Sequence, residues 1–154
     1  MRLADLMETS VATVTPELPA EHAWQRMRQR RIHHLVVVDG TRVIGLLSDR
    51  DLGSVGGLGL RQNRAVGDLM TRHVVTARPT TTVREAANLM RGRSIGCLPV
   101  IQKDRLVGIV TVSDLLMLIG RGAERGIAPS RRWTLKSRGA RGQGVVFHRG
   151  LPGR

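Results

Sequence analysis

Asp5-Leu6-Met7 returns 63 residues later as Asp68-Leu69-Met70, and the offset then holds without a gap for about fifty residues. Thr13 and Pro16 return as Thr76 and Pro79, and Ala23 and Met27 as Ala86 and Met90. Ile32, Leu35 and Val37 return as Ile95, Leu98 and Val100, and Gly45 with Asp51-Leu52 as Gly108 with Asp114-Leu115. A chain duplicated in this way folds as two copies of one unit, each burying its apolar face on the other. Any site at the joint is then expected twice, related by a pseudo-twofold axis.

Both copies read as the same series of elements. Ala12-Thr13-Val14 is a short strand before the Pro16 and Pro19 turn region, and Pro19 suits a first helical turn, where its missing N–H matters little. Ala20, Ala23, Trp24 and Met27 then recur at helical spacing, with Glu21, Gln25, Arg26 and Arg28 on the other face. Leu35 to Val38 is an apolar, largely β-branched run and reads as a buried strand. Asp39-Gly40 signals a hairpin, so Val43 to Leu47 returns antiparallel, and a short helix is expected after Ser48. In the second copy Thr82-Val83-Arg84-Glu85 is a capping box, with Val83, Ala86, Ala87 and Met90 on one helical face. Leu98 to Ile101 and Leu106 to Val110 are its paired strands, and Asp114 to Ile119 its closing helix.

The copies are drawn at residues 1–53 and 65–120, with a Gly-rich, flexible linker at 54–64. Beyond Gly120 the periodicity stops. Residues 121–154 carry nine Lys/Arg against one acid, Glu124, which is +8 of the chain's net +13. This tail is expected to lack fixed order at least as far as Lys136, with Val145-Val146-Phe147 as a strand able to join another chain. Arg supplies almost all the charge and suits bidentate phosphate recognition, although a general Arg bias would leave the same mark.

No apolar run approaches the roughly 18 residues that span a membrane. The N-terminus carries no signal-peptide core. A lone cysteine, Cys97, excludes an internal disulfide. A cytoplasmic protein is expected.

Each copy ends on Gly-apolar-apolar-Ser/Thr-x-x-Asp, as Gly45-Leu46-Leu47-Ser48-Asp49-Arg50-Asp51 and Gly108-Ile109-Val110-Thr111-Val112-Ser113-Asp114. With Ile32-His33-His34-Leu35 and Ile95-Gly96-Cys97-Leu98, and the β-α-β-β-α order, residues 1 to about 120 resemble a pair of cystathionine β-synthase (CBS) domains, a Bateman module. The resemblance implies an α/β (α+β) fold of two tandem repeats packed sheet to sheet with pseudo-twofold symmetry. It implies two inter-repeat clefts for adenine nucleotides (AMP, ADP or ATP, or a related adenosyl ligand). The first cleft would use Ser48, Arg50 and Asp51, with His33 and His34 near the phosphates and Val74, Val75, Ile95, Gly96 and Cys97 around the base. The second would use Thr111, Ser113 and Asp114, with Val11, Ala12 and Ile32 around the base.

The chemistry is reasonable apart from the family. One carboxylate has acceptor sites for both hydroxyls of a ribose diol, and a phosphate favours the free N–H groups of a helix start, where Ser48 and Thr111 are expected. The same Ser/Thr-x-x-Asp pattern also serves as a capping box without any ligand. His33 and His34 are adjacent on a strand, point to opposite faces and form no metal chelate. Cys97 reads as a small buried hydrophobe and Trp24 as core or a contact to a second chain. The expectation is a stand-alone regulatory protein, not an enzyme, homodimeric, without metal or redox cofactor, and signalling nucleotide occupancy to a protein partner. The alternatives are a nucleic-acid-associated protein using the Arg-rich tail and a ligand-free interaction module.

Overall fold

In the computed structural model, which describes residues 1–124, residues 1–117 make one compact unit. Its first sheet has three strands. Strand β1 (Thr13–Val14) runs parallel to β2 (His34–Asp39), which turns at Gly40 into antiparallel β3 (Arg42–Ser48). Helix α1 (Ala20–Arg30) begins after Pro19 and ends at Arg31, whose φ of 54° closes the helix in the left-handed region. The second copy repeats this with helix α4 (Val83–Arg93), ended by Ser94 at φ 53°, and the hairpin β4 (Cys97–Gln102) to β5 (Arg105–Thr111). The duplication extends to irregularities: a bulge follows Val37 in one hairpin and Val100 in the other. It fails at the first strand. Ala77 makes a single parallel bridge to Val100, so the second sheet has two strands.

The closing elements diverge. In the second copy α5 starts at Val112 and runs to Glu124, past the boundary drawn at Gly120. In the first copy the helix expected after Ser48 is absent. Residues 49–56 are successive turns, and only a four-residue helix, α2 (Leu58–Arg61), follows. Within the 54–64 linker only Gly57 and Arg61 are buried, while Val55 and Leu58 stand exposed. Residues 125–154, including Val145 to Phe147 and most of the basic tail, lie outside the described residues.

The leading segments are exchanged between the copies. The turn at Leu3–Asp5 lies on the second copy, where Leu3 N donates to Thr81 O (2.9 Å) and Ala4 N to Pro79 O (3.0 Å). Its counterpart, α3 (Val66–Leu69), lies on the first, where Val66 N donates to Leu18 O and Gly67 N to Pro16 O (both 2.8 Å). Each hydrophobic core is completed accordingly. Val66 and Met70 join Val14, Met27, Leu35, Val37 and Leu47, while Leu3 joins Met90, Leu98, Val100 and Val110. Met70 sits on Gly45 of β3, and Met7 on Gly108 of β5, where a Cβ would strike the thioether. The glycine of each motif therefore makes room for a methionine that occupies the Cβ position.

Candidate functional site

Two Ser/Thr–Asp turns face the joint, and their geometry is the same. Asp51 Oδ2 accepts from Ser48 N (2.7 Å) and Ser48 Oγ (2.9 Å), and Asp51 N donates back to Ser48 Oγ (3.3 Å). Asp114 Oδ2 accepts from Thr111 N (2.7 Å) and Thr111 Oγ1 (2.8 Å), and Asp114 N donates back at 3.3 Å. The reciprocal bonding of a capping box is thus present in both copies, but a helix follows it only at Thr111. Among the described residues, Oδ1 of neither carboxylate accepts a hydrogen bond.

Between the turns runs a groove of about 1010 Å³, with one Ser/Thr–Asp turn on either side. Every residue expected from sequence lines it: Ser48, Arg50, Asp51, His33, His34, Val74, Val75, Ile95, Gly96 and Cys97, with Thr111, Ser113, Asp114, Val11, Ala12 and Ile32. The groove also takes Arg30, Arg31 and Asp49, as well as Glu8, Ser10, Thr71, His73 and Ser94. Arg30, Arg31 and Asp49 adjoin the expected motifs and could have been found by proximity in sequence. The Glu8–Ser10 and Thr71–His73 stretches reach the groove through the exchanged segments, for which no local sequence signal exists.

The groove is chemically lopsided. Arg31, His33, His34, Asp49 and Arg50 stand on the first copy's motif, and the offset replaces them with Ser94, Gly96, Cys97, Val112 and Ser113. His33 is exposed and its Nδ1 lies 2.9 Å from Asp49 Oδ2. His34 is half-buried, and burial holds its imidazole below the ordinary value, opposed by Asp49 and Asp51 and reinforced by His33 and Arg50. The ring rests on the opposite copy, since a Cβ on Gly96 would come within 3.4 Å of its Cε1 and Nε2. Cys97 is buried and its thiol is pushed up to about 12 by desolvation, which favours the neutral thiol over the thiolate at neutral pH.

One expectation about phosphate needs correction. A helix start was to present free N–H groups after both Ser48 and Thr111. Only Thr111 stands at one, because α5 follows directly while turns follow Ser48. The first copy therefore presents Arg and His side chains, and no helix start, to the groove. The second has the helix start but none of those cations. Among the described residues no group of three or more His, Cys, Asp or Glu side chains converges as a metal site, and no helix is long and apolar enough to cross a membrane.

Comparison with known proteins matches the CBS domain family to residues 3–54 and 66–121. A homoserine O-acetyltransferase of Methanohalobium evestigatum is 33% identical over 119 residues, covering 76% of this chain but only 24% of the enzyme. The CBS domain-containing protein YhcV of Bacillus subtilis is 32% identical over 112 residues, covering 72% of this chain and 80% of that protein. Among solved structures, the CBS domain pair of protein MJ0100, in complex with 5′-methylthioadenosine and S-adenosyl-L-methionine, superposes with TM-score 0.72. It is 27% identical and covers 79% of this chain and 98% of that one. A putative acetoin utilization protein (AcuB) of Vibrio cholerae gives 0.70 at 29% identity, over 80% and 93% of the two chains.

Proposed function

The chain belongs to the CBS-domain family, and on that footing we propose that it is a regulatory module, not an enzyme, that binds an adenosine nucleotide and reports its occupancy to a partner protein. The observation that carries this reading is the groove, which gathers two acidic turns, apolar walls and a one-sided set of cations from both copies. A ribose diol would donate to Asp51 through Oδ1 and the remaining lone pair of Oδ2. The adenine would lie between Val74, Val75 and Ile95, where aliphatic side chains stand in for an aromatic platform. Phosphates would meet Arg30, Arg31, Arg50 and the two histidines, so ATP or ADP suits the first side. The second side, around Thr111, Ser113 and Asp114, suits an adenosyl ligand with less phosphate charge, of the kind bound by the MJ0100 pair.

Leu116 and Met117 on α5 are exposed, which favours a homodimer formed through helical faces, and the reading places the protein in the cytoplasm. A thermal-shift screen with AMP, ADP, ATP, NAD and S-adenosylmethionine tests it. A ligand that binds only the folded chain at a hundredfold excess over its Kd adds about 2.7 kcal/mol of stability. No shift with any of the five overturns the reading. The basic tail favours a second reading, a salt-sensitive attachment to nucleic acid. A chain ended at Glu124 that binds DNA or RNA as tightly as the full chain rules that out.

A further inference from the structure

The two acidic turns are followed by very different chain. After Asp114 the backbone continues as regular α5. After Asp51 it doubles back through Gly53 (φ 75°) and Ser54 (φ 49°). Ser54 holds a left-handed conformation that only glycine adopts freely, so the loop needs support from outside itself. It is also pressed against its own backbone, because a Cβ on Gly57 would strike Leu52 O and Gly53.

That support comes from Arg61, whose side chain is 4% exposed. Its Nη1 donates to Leu52 O (2.7 Å) and to Ser54 O (2.8 Å), and its Nε to Glu21 Oε2 on α1 (2.7 Å). The guanidinium also stacks on Trp24 of α1, 4.5 Å from the ring centroid. A buried cation is tolerated only when paired and hydrogen-bonded, and this one satisfies both conditions by tying the loop to the helix. Leu52, which is fully buried, is the residue next to Asp51.

We propose that Arg61 is a positioning residue for the first nucleotide cleft: by clamping the carbonyls of Leu52 and Ser54 to α1, it fixes the Ser48–Asp51 turn that receives the ribose. The inference rests on the nucleotide-binding reading above. It makes the order of the first cleft depend on one side chain from the linker, whereas the second turn is held by its own helix. Lysine would not substitute, because a single ammonium cannot span two carbonyls and a carboxylate in one plane over an aromatic ring.

The experiment isolates each cleft and asks whether Arg61 matters to one only. ATP is titrated calorimetrically into full-length Asp114→Ala protein, where the first cleft remains, and into Asp51→Ala protein, where the second remains. Adding Arg61→Met is expected to raise the Kd about tenfold or more in the first background, the scale of one lost charge-assisted hydrogen bond, and to leave the second unchanged. Equal loss in both backgrounds, or no loss in the first, overturns the proposal. Amide hydrogen exchange without ligand gives an independent reading. Arg61→Met should speed exchange at Asp51, Gly53 and Ser54 but not at Asp114, and unchanged rates at the first three overturn the proposal as well. If wild-type protein binds no ATP, the nucleotide reading falls, while exchange still decides whether Arg61 holds the turn. Should Arg61→Met not fold, Glu21→Gln removes one partner of the clamp and should give the same exchange pattern at smaller amplitude.

Discussion

Asp51 holds its turn and, on the proposed function, also the ribose, and the two roles differ in size. Its Oδ2 already caps the turn through Ser48, so Asp51→Ala removes a cap and, on the proposed function, two ribose contacts. The cap is worth about 1 kcal/mol of stability; the charge-assisted contacts are worth about 2–4 kcal/mol of affinity. Urea unfolding and ATP titration separate the losses. A variant that unfolds early yet binds ATP normally returns the pair to capping alone. Gly45 gives a second residue-scale prediction. Its Cβ position is filled by the Met70 thioether, so Gly45→Ala should destabilise by about 1–3 kcal/mol through overpacking. Met70→Ala in the same chain should recover part of that loss, read as non-additivity in a double-mutant cycle. At Gly108 the added methyl also comes within 3.2 Å of the Glu8 carbonyl. Backbone yields less readily than a thioether, so Gly108→Ala should cost more than Gly45→Ala.

The elements were largely legible before the structure, and the reason is local. Apolar spacing from Ala20 to Met27, the Thr82–Glu85 box and the Asp39-Gly40 turn each act within a few residues, and each appears where the sequence places it. The motif residues of both walls, Ser48 to Asp51 and Thr111 to Asp114, were legible for the same reason, whereas Glu8, Ser10, Thr71 and His73 carried no local signal. What was not legible is which copy the Asp-Leu-Met segments pack on. A 63-residue repeat is obeyed equally well whether each segment lies on its own copy or on the other, so no periodicity distinguishes the two. The missing helix after Ser48 has a different cause. Gly53, Gly56 and Gly57 break helix propensity there, and a buried arginine stabilises the turns instead. The exchange carries its own prediction. Removing residues 1–7 deletes Leu3 from the second copy's core and the Met7 cover from β5. Hydrogen exchange should then accelerate in α4 and β5 while β2 and β3 stay protected. Loss of protection in β2 and β3 first would mean the segment serves its own copy. In the intact chain, Leu3→Ala should cost about 2–5 kcal/mol, as for a buried leucine that leaves a cavity.

At the scale of the whole molecule, duplication supplies the symmetric joint and divergence supplies its polarity, and His34 is where the two meet. It begins β2 of one copy, rests on Gly96 of the other, and is faced by Asp49, Asp51, His33 and Arg50. Burial holds its pKa below the ordinary 6.5, so near that pH the unfolded chain binds more protons than the folded one. Stability therefore rises with pH in that window. The contribution of His34 is complete above about pH 6.5 and is lost as pH falls from there through the folded value. On the proposed function a bound polyphosphate would act in the opposite direction, because it would favour the imidazolium and its binding would take up a proton. Acidification from pH 7.5 to 5.5 should thus lower the urea midpoint of the ligand-free protein while tightening its hold on ATP relative to adenosine. His34→Gln should flatten both trends, leaving the background set by other titrating groups. Parallel pH series of urea unfolding and calorimetric titration measure the two slopes on one protein. If affinity for ATP weakens with acid while stability behaves as expected, His34 belongs to the joint and not to the phosphates, and the cations of the first cleft reduce to Arg30, Arg31, Arg50 and His33.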